Sequence, residues 1–330
     1  MEKSSVIPQK MRYINHTASI LKIQDTAVPK IDAQQVLIKV HAFGVNRADI
    51  LQKKGKYPAP EGDSKILGLE VSGVVVQVAD PALEHLLGRH VFCLTSGGGY
   101  AEYVVAEHEL LMPVPDDMPL SYAAGLAEVY LTAYDAIVRT GNLGTGDTLL
   151  CHGGASGVGS AAIRIAKSIG ATVVTTQSSD EKAQYALSLG ADHTINYLEN
   201  DFAEEMKKLG LKANVILDPV AGDYLSANLR VAAMDCHCIV LAMLGGRYAE
   251  LDFAKLLSKR FNLHGSTLRN RSKTYKKELV QAFLSQFGQH LMEPSMAIPI
   301  YRELCWDEIE QAHEVLENNR NLGKVIVRIV

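Results

Sequence analysis

The sequence predicts an α/β protein of two domains: a β-rich domain and a doubly wound, six-stranded parallel sheet. Three observations carry this. Strand-like segments crowd residues 11–115 with no helical pattern of crossover length between them. From residue 147 strands and helices alternate, and a glycine-rich turn sits at the first strand-to-helix junction. A last strand-like run, Lys324–Val330, comes after the six-stranded sheet is complete, which assigns it back to the first domain. The expected division is 1–132 with 294–330, and 133–293.

Taken in order, Val36–Ala42, Val71–Val78, Gly88–Leu94 and Tyr100–Val105 read as strands, separated by turn chemistry at Lys56–Gly62 and Ser96–Gly99. Residues 1–10 read as a loose extension before them. Apolar residues at 123, 126, 127, 130, 131, 134 and 137 predict a helix from Ser121 to about Thr140, with Ser121 as N-cap and Gly141 just past the end. Further strands are predicted at 148–152, 171–176, 192–197, 214–218, 237–243 and 261–267. Helical patterns at 158–169, 180–189, 201–209, 223–233 and 272–288 lie between most of them or follow. Pro294 and Pro299 then break the chain before an amphipathic helix at Asp307–Leu316.

The bulk numbers exclude several classes. Of the 330 residues 47% are hydrophobic and 21% charged, an ordinary globular balance. A net charge of −4 gives no electrostatic basis for nucleic-acid or anionic-membrane binding. Five scattered cysteines argue against a disulfide scaffold and for a reducing compartment. No apolar run has signal-peptide or membrane-span length, so the expectation is cytoplasmic.

The chemistry centres on the glycine turn. Leu149–Cys151 reads as a buried strand, and Val158, Ala162, Ile165, Ala166 and Ile169 recur at helical spacing. Between them stand Gly153, Gly154, Gly157 and Gly159. Missing side chains let backbone N–H groups approach a pyrophosphate, which the positive end of the helix dipole favours. Gly154, Ser156, Gly157, Val158 and Gly159 are therefore expected cofactor contacts. The spacing, Gly154-x-x-Gly157-x-Gly159, is a variant of the usual fingerprint. The strand expected at 171–176 runs into Gln177, Ser178 and Ser179, where NAD-binding proteins carry an acid for the ribose 2′-hydroxyl. Hydroxyls leave room for a 2′-phosphate, and Lys182 one turn on can neutralise it, which favours NADPH. Asp180 is either a displaced NAD-type acid or a first-turn helix residue favoured by the dipole.

Asn46–Asp49, Gly55–Pro58, Leu67–Gly73, Leu131–Tyr134, Gly157–Gly159, Leu189–Asp192 and Asn321–Lys324 together resemble the medium-chain dehydrogenase/reductase superfamily over nearly all of residues 11–330. Within it the chain is similar to the NADPH:quinone oxidoreductases, and most to their p53-inducible branch, through Asn46–Gln52, Ser266–Arg271 and Tyr275–Lys276. The resemblance implies a GroES-like first domain and a Rossmann second domain. It also implies cofactor contacts from Thr132, Tyr197 and Asn321, and Asn46 is counted with them. Met243, Leu244 and Gly245 after the fifth strand, and Ser266, Thr267 and Leu268 after the sixth, are expected contacts because doubly wound sheets bind ligands at their strand ends.

Zinc-dependent relatives place Cys and His where this chain has Asn46 and Leu69, and their third ligand falls near Glu128. Asn and Leu supply neither thiolate nor imidazole, so the expectation is a zinc-free member. Cys236-x-Cys238 reads as buried strand, both thiols on one face. Without a Lewis acid an alcohol is a poor hydride donor, whereas an electron-poor quinone needs mainly orientation and hydrogen bonds to its oxygen. Asn46 and Tyr57 are the candidates for that work; a turn-capping amide and an aromatic in a Pro-rich turn are their structural alternatives. Arg47 and Glu128 are candidates only for tuning.

A quinone-like substrate with NADPH is thus the expected reaction. An NADPH-dependent reductase of enals or enones needs the same features, and a dinucleotide-binding structural protein, like the lens crystallins recruited from this family, retains them. Residues 261–267 would form the open sheet edge and carry no Pro or Lys, which predicts a homodimer through that strand.

Overall fold

The computed structural model describes residues 7–16 and 20–329. Contacts divide the chain into two compact units. Unit 1 runs to Glu128, takes in Ser272–Leu284 and resumes at Ile300; unit 2 is Val129–Arg271 with Ser285–Pro299. Among the described residues no helix is long and apolar enough to cross a membrane.

Unit 1 opens with an antiparallel hairpin, β1 (Lys10–Asn15) and β2 (Lys22–Ala27). Of the segment expected to be loose, residues 1–6 lie outside the described residues, and Lys10 already belongs to β1. The hairpin is mostly polar, with no hydrophobic alternation to mark it in the sequence. Next comes β3 (Gln35–Gly44), the hub of the unit, followed by the short helix α1 (Arg47–Lys53). Strands β4 (Glu70–Val78), β5 (His90–Leu94), β6 (Tyr103–Glu107) and β7 (Met112–Pro113) complete the N-terminal set. β3 pairs antiparallel with both β4 and β6.

The helix expected from Ser121 to Thr140 is broken, a correction with two physical causes. α2 (Leu120–Ala123) begins after Pro119, which holds the N-cap position instead of Ser121, and α3 (Ala127–Tyr134) follows separately. Gly125 lies in the gap, where an added Cβ would stand 2.6 Å from the Ile326 side chain. After α3 the chain widens into a π turn at Asp135–Thr140, and Asn142 takes the left-handed conformation (φ 52°) while Gly141 stays right-handed (φ −82°).

Unit 2 alternates as expected: β8 (Thr148–His152), α4 (Gly157–Ile169), β9 (Thr172–Gln177), α5 (Asp180–Ser188), β10 (His193–Asn196) and α6 (Phe202–Lys208). The second half repeats the rhythm with β11 (Ala213–Asp218), α7 (Tyr224–Val231), β12 (Ala232–Val240), α8 (Phe253–Lys259) and β13 (Asn262–Gly265). Spatial order is β10-β9-β8-β11-β12-β13, every pair parallel, a complete doubly wound sheet. β12 starts five residues before the strand expected at 237–243 and ends at Val240, which leaves Met243 in the following turn. Cys236 and Cys238 are both buried in the core on one side of β12. α8 was not legible, because Phe253 and Leu257 on it face solvent.

The chain then returns to unit 1. α9 (Lys273–Phe287) fastens to it through the ion pairs Lys273–Glu107 and Lys277–Glu109. β14 (Ile300–Cys305), α10 (Ile309–Glu317) and β15 (Lys324–Arg328) follow. β15 pairs antiparallel with β3 (Ile326 opposite Gly44) and parallel with β14, so the tail strand is built into the seven-stranded sheet of unit 1. Ile326 is fully buried. Replacing it by Ala is expected to destabilise unit 1 by about 2–5 kcal/mol. The single tryptophan, Trp306, is buried in the same unit, so urea unfolding followed by its fluorescence reads this directly. An unchanged midpoint would mean that β15 is dispensable.

Candidate functional site

The glycine turn forms where β8 meets α4. Ser156 is the N-cap of α4, and its Oγ accepts from Gly159 N at 3.0 Å. Gly154 and Gly159 are required by close approach: a Cβ on Gly154 would lie 2.8 Å from the Thr175 side chain, and one on Gly159 only 2.5 Å from Gly153 O. Gly157 and Val158 open the helix, where first-turn N–H groups have no carbonyl partner within the helix. The turn is thus tight enough to pack the helix on the sheet and polar enough to take an anion.

At the end of β9 the structure joins Ser178, Ser179 and Lys182. Ser179 caps α5 by accepting from Lys182 N (3.3 Å), and Lys182 Nζ donates to Ser178 Oγ (3.3 Å). Partial burial pushes the Lys182 ammonium below its usual pKa. Asp180 is the exposed first residue of α5, and the last strand residue, Gln177, is buried and donates to Thr175 Oγ1. Tyr197 is brought to the same corner, its N–H bonded to Gln177 O at 3.0 Å and its ring edge-on to Tyr224.

At the other strand ends lies a cleft of about 410 Å³, lined among others by Met243, Ser266, Thr267, Asp218 and Ala221. Leu244 and Gly245 belong to the same turn, which is tied to the turn after β11 by Leu244 N→Pro219 O (3.2 Å) and Gly245 N→Val220 O (2.7 Å). Leu268 is half-buried just beyond, and Thr132 is half-buried on α3. Asn321 belongs to unit 1, where its amide is spent on Gly323 O within its own turn.

Asn46 and Tyr57 belong to unit 1. Tyr57 is half-buried in the irregular segment after α1. Asn46 holds the N-cap position of α1, and its side chain is turned into a buried charge network. Its Nδ2 donates to Glu70 Oε1 (2.9 Å) and, more weakly, to Gly44 O (3.4 Å); its Oδ1 accepts from Lys324 Nζ (2.8 Å). Lys324 is paired with Glu70 at 2.7 Å, the side chains 3% and 0% exposed. The other Glu70 oxygen accepts from Glu128 N. Arg47 is spent on Leu316 O and Asn319 Oδ1. Sequence reasoning singled out neither Glu70 nor Lys324, although both stand inside motifs that it quoted. Among the described residues no three His, Cys, Asp or Glu side chains are grouped to hold a metal ion.

Next to this network runs a second buried chain. Asp49 accepts from Asn46 N, Gly68 N and Tyr100 OH, and Tyr100 OH in turn meets His313 Nε2 at 3.1 Å. Burial raises the Asp49 carboxyl to about 6, and burial with the nearby Lys53 lowers the His313 imidazole to about 3. A bare Nδ1 on His313 fits the Nε2–H tautomer, in which the unpaired atom is only an acceptor.

A two-domain α/β chain with this sheet order, glycine turn and strand-end cleft defines a dinucleotide-binding protein of the Rossmann type. The comparisons agree. Residues 32–116 match the alcohol dehydrogenase GroES-like domain, and residues 157–285 the zinc-binding dehydrogenase family. The quinone oxidoreductase of Mus musculus is 30% identical over 317 residues, 93% of each chain, and that of Rattus norvegicus 29% over 313 residues, again 93% of each. Among solved structures, a mycobacterial protein complexed with NADPH superposes with a TM-score of 0.85 at 26% identity, covering 96% of this chain and 99% of that one. The Thermus thermophilus quinone oxidoreductase, also solved with NADPH, gives 0.81 at 26%, covering 97% and 99%. The chain belongs to the medium-chain dehydrogenase/reductase superfamily, among its quinone oxidoreductase-like members. It is an oxidoreductase built for a nicotinamide dinucleotide.

The two perturbed groups of unit 1 pull stability in opposite directions with pH. His313 titrates at about 3 when folded against 6.5 unfolded, so its contribution is complete above 6.5 and is lost as pH falls toward 3. Asp49 titrates at about 6 when folded against 3.8 unfolded, so its contribution is complete below 3.8 and is lost as pH rises through 6. His313→Gln is therefore expected to flatten the acid side, by up to about 1.4 kcal/mol per pH unit. Urea midpoints from Trp306 fluorescence at pH 4.5 to 7, ~0.5 unit apart, compare the variant with the parent. Parallel curves would show that His313 carries no such linkage.

Proposed function

We propose that this chain reduces quinones with NADPH and without a metal. The observation that carries the cofactor choice is the end of β9, where two hydroxyls and an ammonium, Ser178, Ser179 and Lys182, stand in hydrogen-bond contact while the adjacent carboxylates, Asp180 and Glu181, are exposed. A 2′-phosphate suits that corner, with Tyr197 beside it, and a bare ribose gains little from it. The turn at Gly154–Gly159 and the positive end of α4 receive the pyrophosphate. Met243, Leu244, Gly245, Ser266, Thr267, Leu268 and Thr132 serve the nicotinamide end. The bound reduced nicotinamide supplies the hydride, and a quinone becomes hydroquinone by taking that hydride and one proton.

The names of the relatives and the side chains at the zinc-ligand positions support the substrate class. Asn46 has its amide oxygen on Lys324, Leu69 offers only an alkyl group, and Glu70 beside it is neutralised by Lys324. In this reading Asn46 orients by holding the network in shape, and Tyr57 is the hydroxyl that serves the reducing oxygen. Lys182→Ala is expected to weaken NADPH by about 1–3 kcal/mol, the range for a charge-assisted contact, and to leave NADH nearly unchanged. Quinone turnover is expected to persist after chelator treatment. Equal loss for both nucleotides, or activity that zinc alone restores, would sink the respective half of the proposal.

The partner in this reading is a second copy. β13 is the outermost strand of its sheet, with Leu263 46% exposed on it and Phe253 and Leu257 exposed on the preceding helix. An open apolar edge of this kind is closed most simply by its own copy across a two-fold axis. Light scattering at micromolar concentration is expected to give twice the chain mass; a monomer there would remove the dimer.

A further inference from the structure

Inside unit 2 a chain of four buried polar side chains crosses the sheet beneath the cofactor turns. Thr176 Oγ1 meets His152 Nδ1 at 2.9 Å, and His152 Nε2 meets Asn228 Oδ1 at 2.8 Å. Asn228 Nδ2 then meets Asp218 Oδ2 at 2.9 Å, and the other Asp218 oxygen accepts from Val220 N and Ala221 N at 2.7 and 2.8 Å. All four side chains are at most 1% exposed, and the His152 ring is walled by Phe202 and Tyr224.

The direction of every bond follows from one end. Asp218 already accepts from two backbone N–H groups, and as a carboxylate it has only acceptors to offer. The amide nitrogen of Asn228 must therefore face it, which turns the amide oxygen toward His152. That oxygen needs a donor, so the imidazole carries its hydrogen on Nε2. Nδ1 is then an acceptor, and Thr176 donates to it. Burial holds this imidazole below its usual pKa, which fits a neutral ring.

Position gives the chain its meaning. His152 directly precedes the glycine turn, Thr176 stands two residues before Ser178, and Asp218 folds the turn that lines the cleft. In that turn Ala221 is held in the left-handed region at φ 57°, a conformation that a non-glycine residue keeps only when its surroundings impose it. Polar chains of this kind are a poor source of stability compared with apolar packing, and a specific geometry is what they impose.

We propose that Asp218, through Asn228, His152 and Thr176, is the positioning residue that sets the three cofactor turns of unit 2 relative to one another. This rests on the reading that unit 2 binds NADPH. Asp218→Asn tests it, because the variant keeps every heavy atom near its place while reversing the chain. An Asn at 218 must keep its oxygen on Val220 N and Ala221 N, so its NH2 faces Asn228. Asn228 flips, His152 must accept on Nε2, and its hydrogen moves to Nδ1.

The imidazole nitrogens of ¹⁵N-histidine-labelled protein report the tautomer without any cofactor present. His152 is expected as neutral Nε2–H in the parent and Nδ1–H in Asp218→Asn, with the parent's circular dichroism retained. NADPH affinity, from fluorescence titration, is expected to fall roughly tenfold in the variant. Thr176→Val, which removes only the terminal donor, is the second arm should Asp218→Asn fail to fold; it is expected to keep the Nε2–H tautomer and to bind NADPH several-fold more weakly. A parent His152 found as Nδ1–H or charged, or a folded variant with unchanged NADPH affinity, overturns the proposal. A parent that binds no NADPH while His152 is still Nε2–H overturns the cofactor reading instead and leaves the direction of the chain intact.

Discussion

The buried pair of Lys324 and Glu70 is the constraint on which unit 1 depends. Taking two charges out of water is costly unless they meet each other and every remaining hydrogen-bonding site is filled. Here the ammonium meets Glu70, Asn46 Oδ1 and Val45 O, while the carboxylate also takes Asn46 Nδ2 and Glu128 N. Val45 and Asn46 follow β3, Glu70 opens β4, Glu128 lies in α3 and Lys324 opens β15, so the condition is met only when β15 lies against β3. Charge satisfaction and strand pairing therefore specify the same topology, which is the agreement between levels that gives a chain one fold.

Both units carry buried polar chains, but they are directed differently. In unit 1 the Asp49, Tyr100 and His313 chain ends in an unpaired acceptor, and its three ionisable members are all pushed toward their neutral forms. In unit 2 the chain ends on backbone N–H groups and passes through an amide, so its polarity is set by a single carboxylate. The first has room to lose or gain a proton as conditions change. The second has its hydrogens fixed by valence.

What was legible in the sequence followed from periodicity. β8 through β11 and the helices between them fell close to their expected places, because each buries one face or all of a short apolar run. The β1–β2 hairpin and α8 escaped because their residues are polar or face solvent, so nothing in the pattern marks them. The lack of room for a side chain at Gly125 comes from Ile326, about two hundred residues away, and no local window contains that approach. The candidate site divides the same way. Ser178 and Lys182 were readable because a helix start brings residues four apart together. The occupation of the Asn46 amide by Lys324 was not, since it is a contact between the two flanks of the chain.

The pairing of β15 with β3 also orders events in time. β3 is Gln35–Gly44 and its neighbour β15 is Lys324–Arg328, with nearly the whole of unit 2 made between them. As the chain leaves the ribosome, the core of unit 2 emerges as an almost continuous stretch and can close on itself. Unit 1 cannot. β6 covers the Gln35–Lys39 end of β3 early, but the Ala42–Gly44 end stays without its partner, and Glu70 without its counter-charge, until residues 324–328 have been made. Protection of that edge during synthesis is a task for chaperones or for sheer speed of translation, and a ribosome stalled anywhere between the two strands would display an open, apolar sheet edge to the cell.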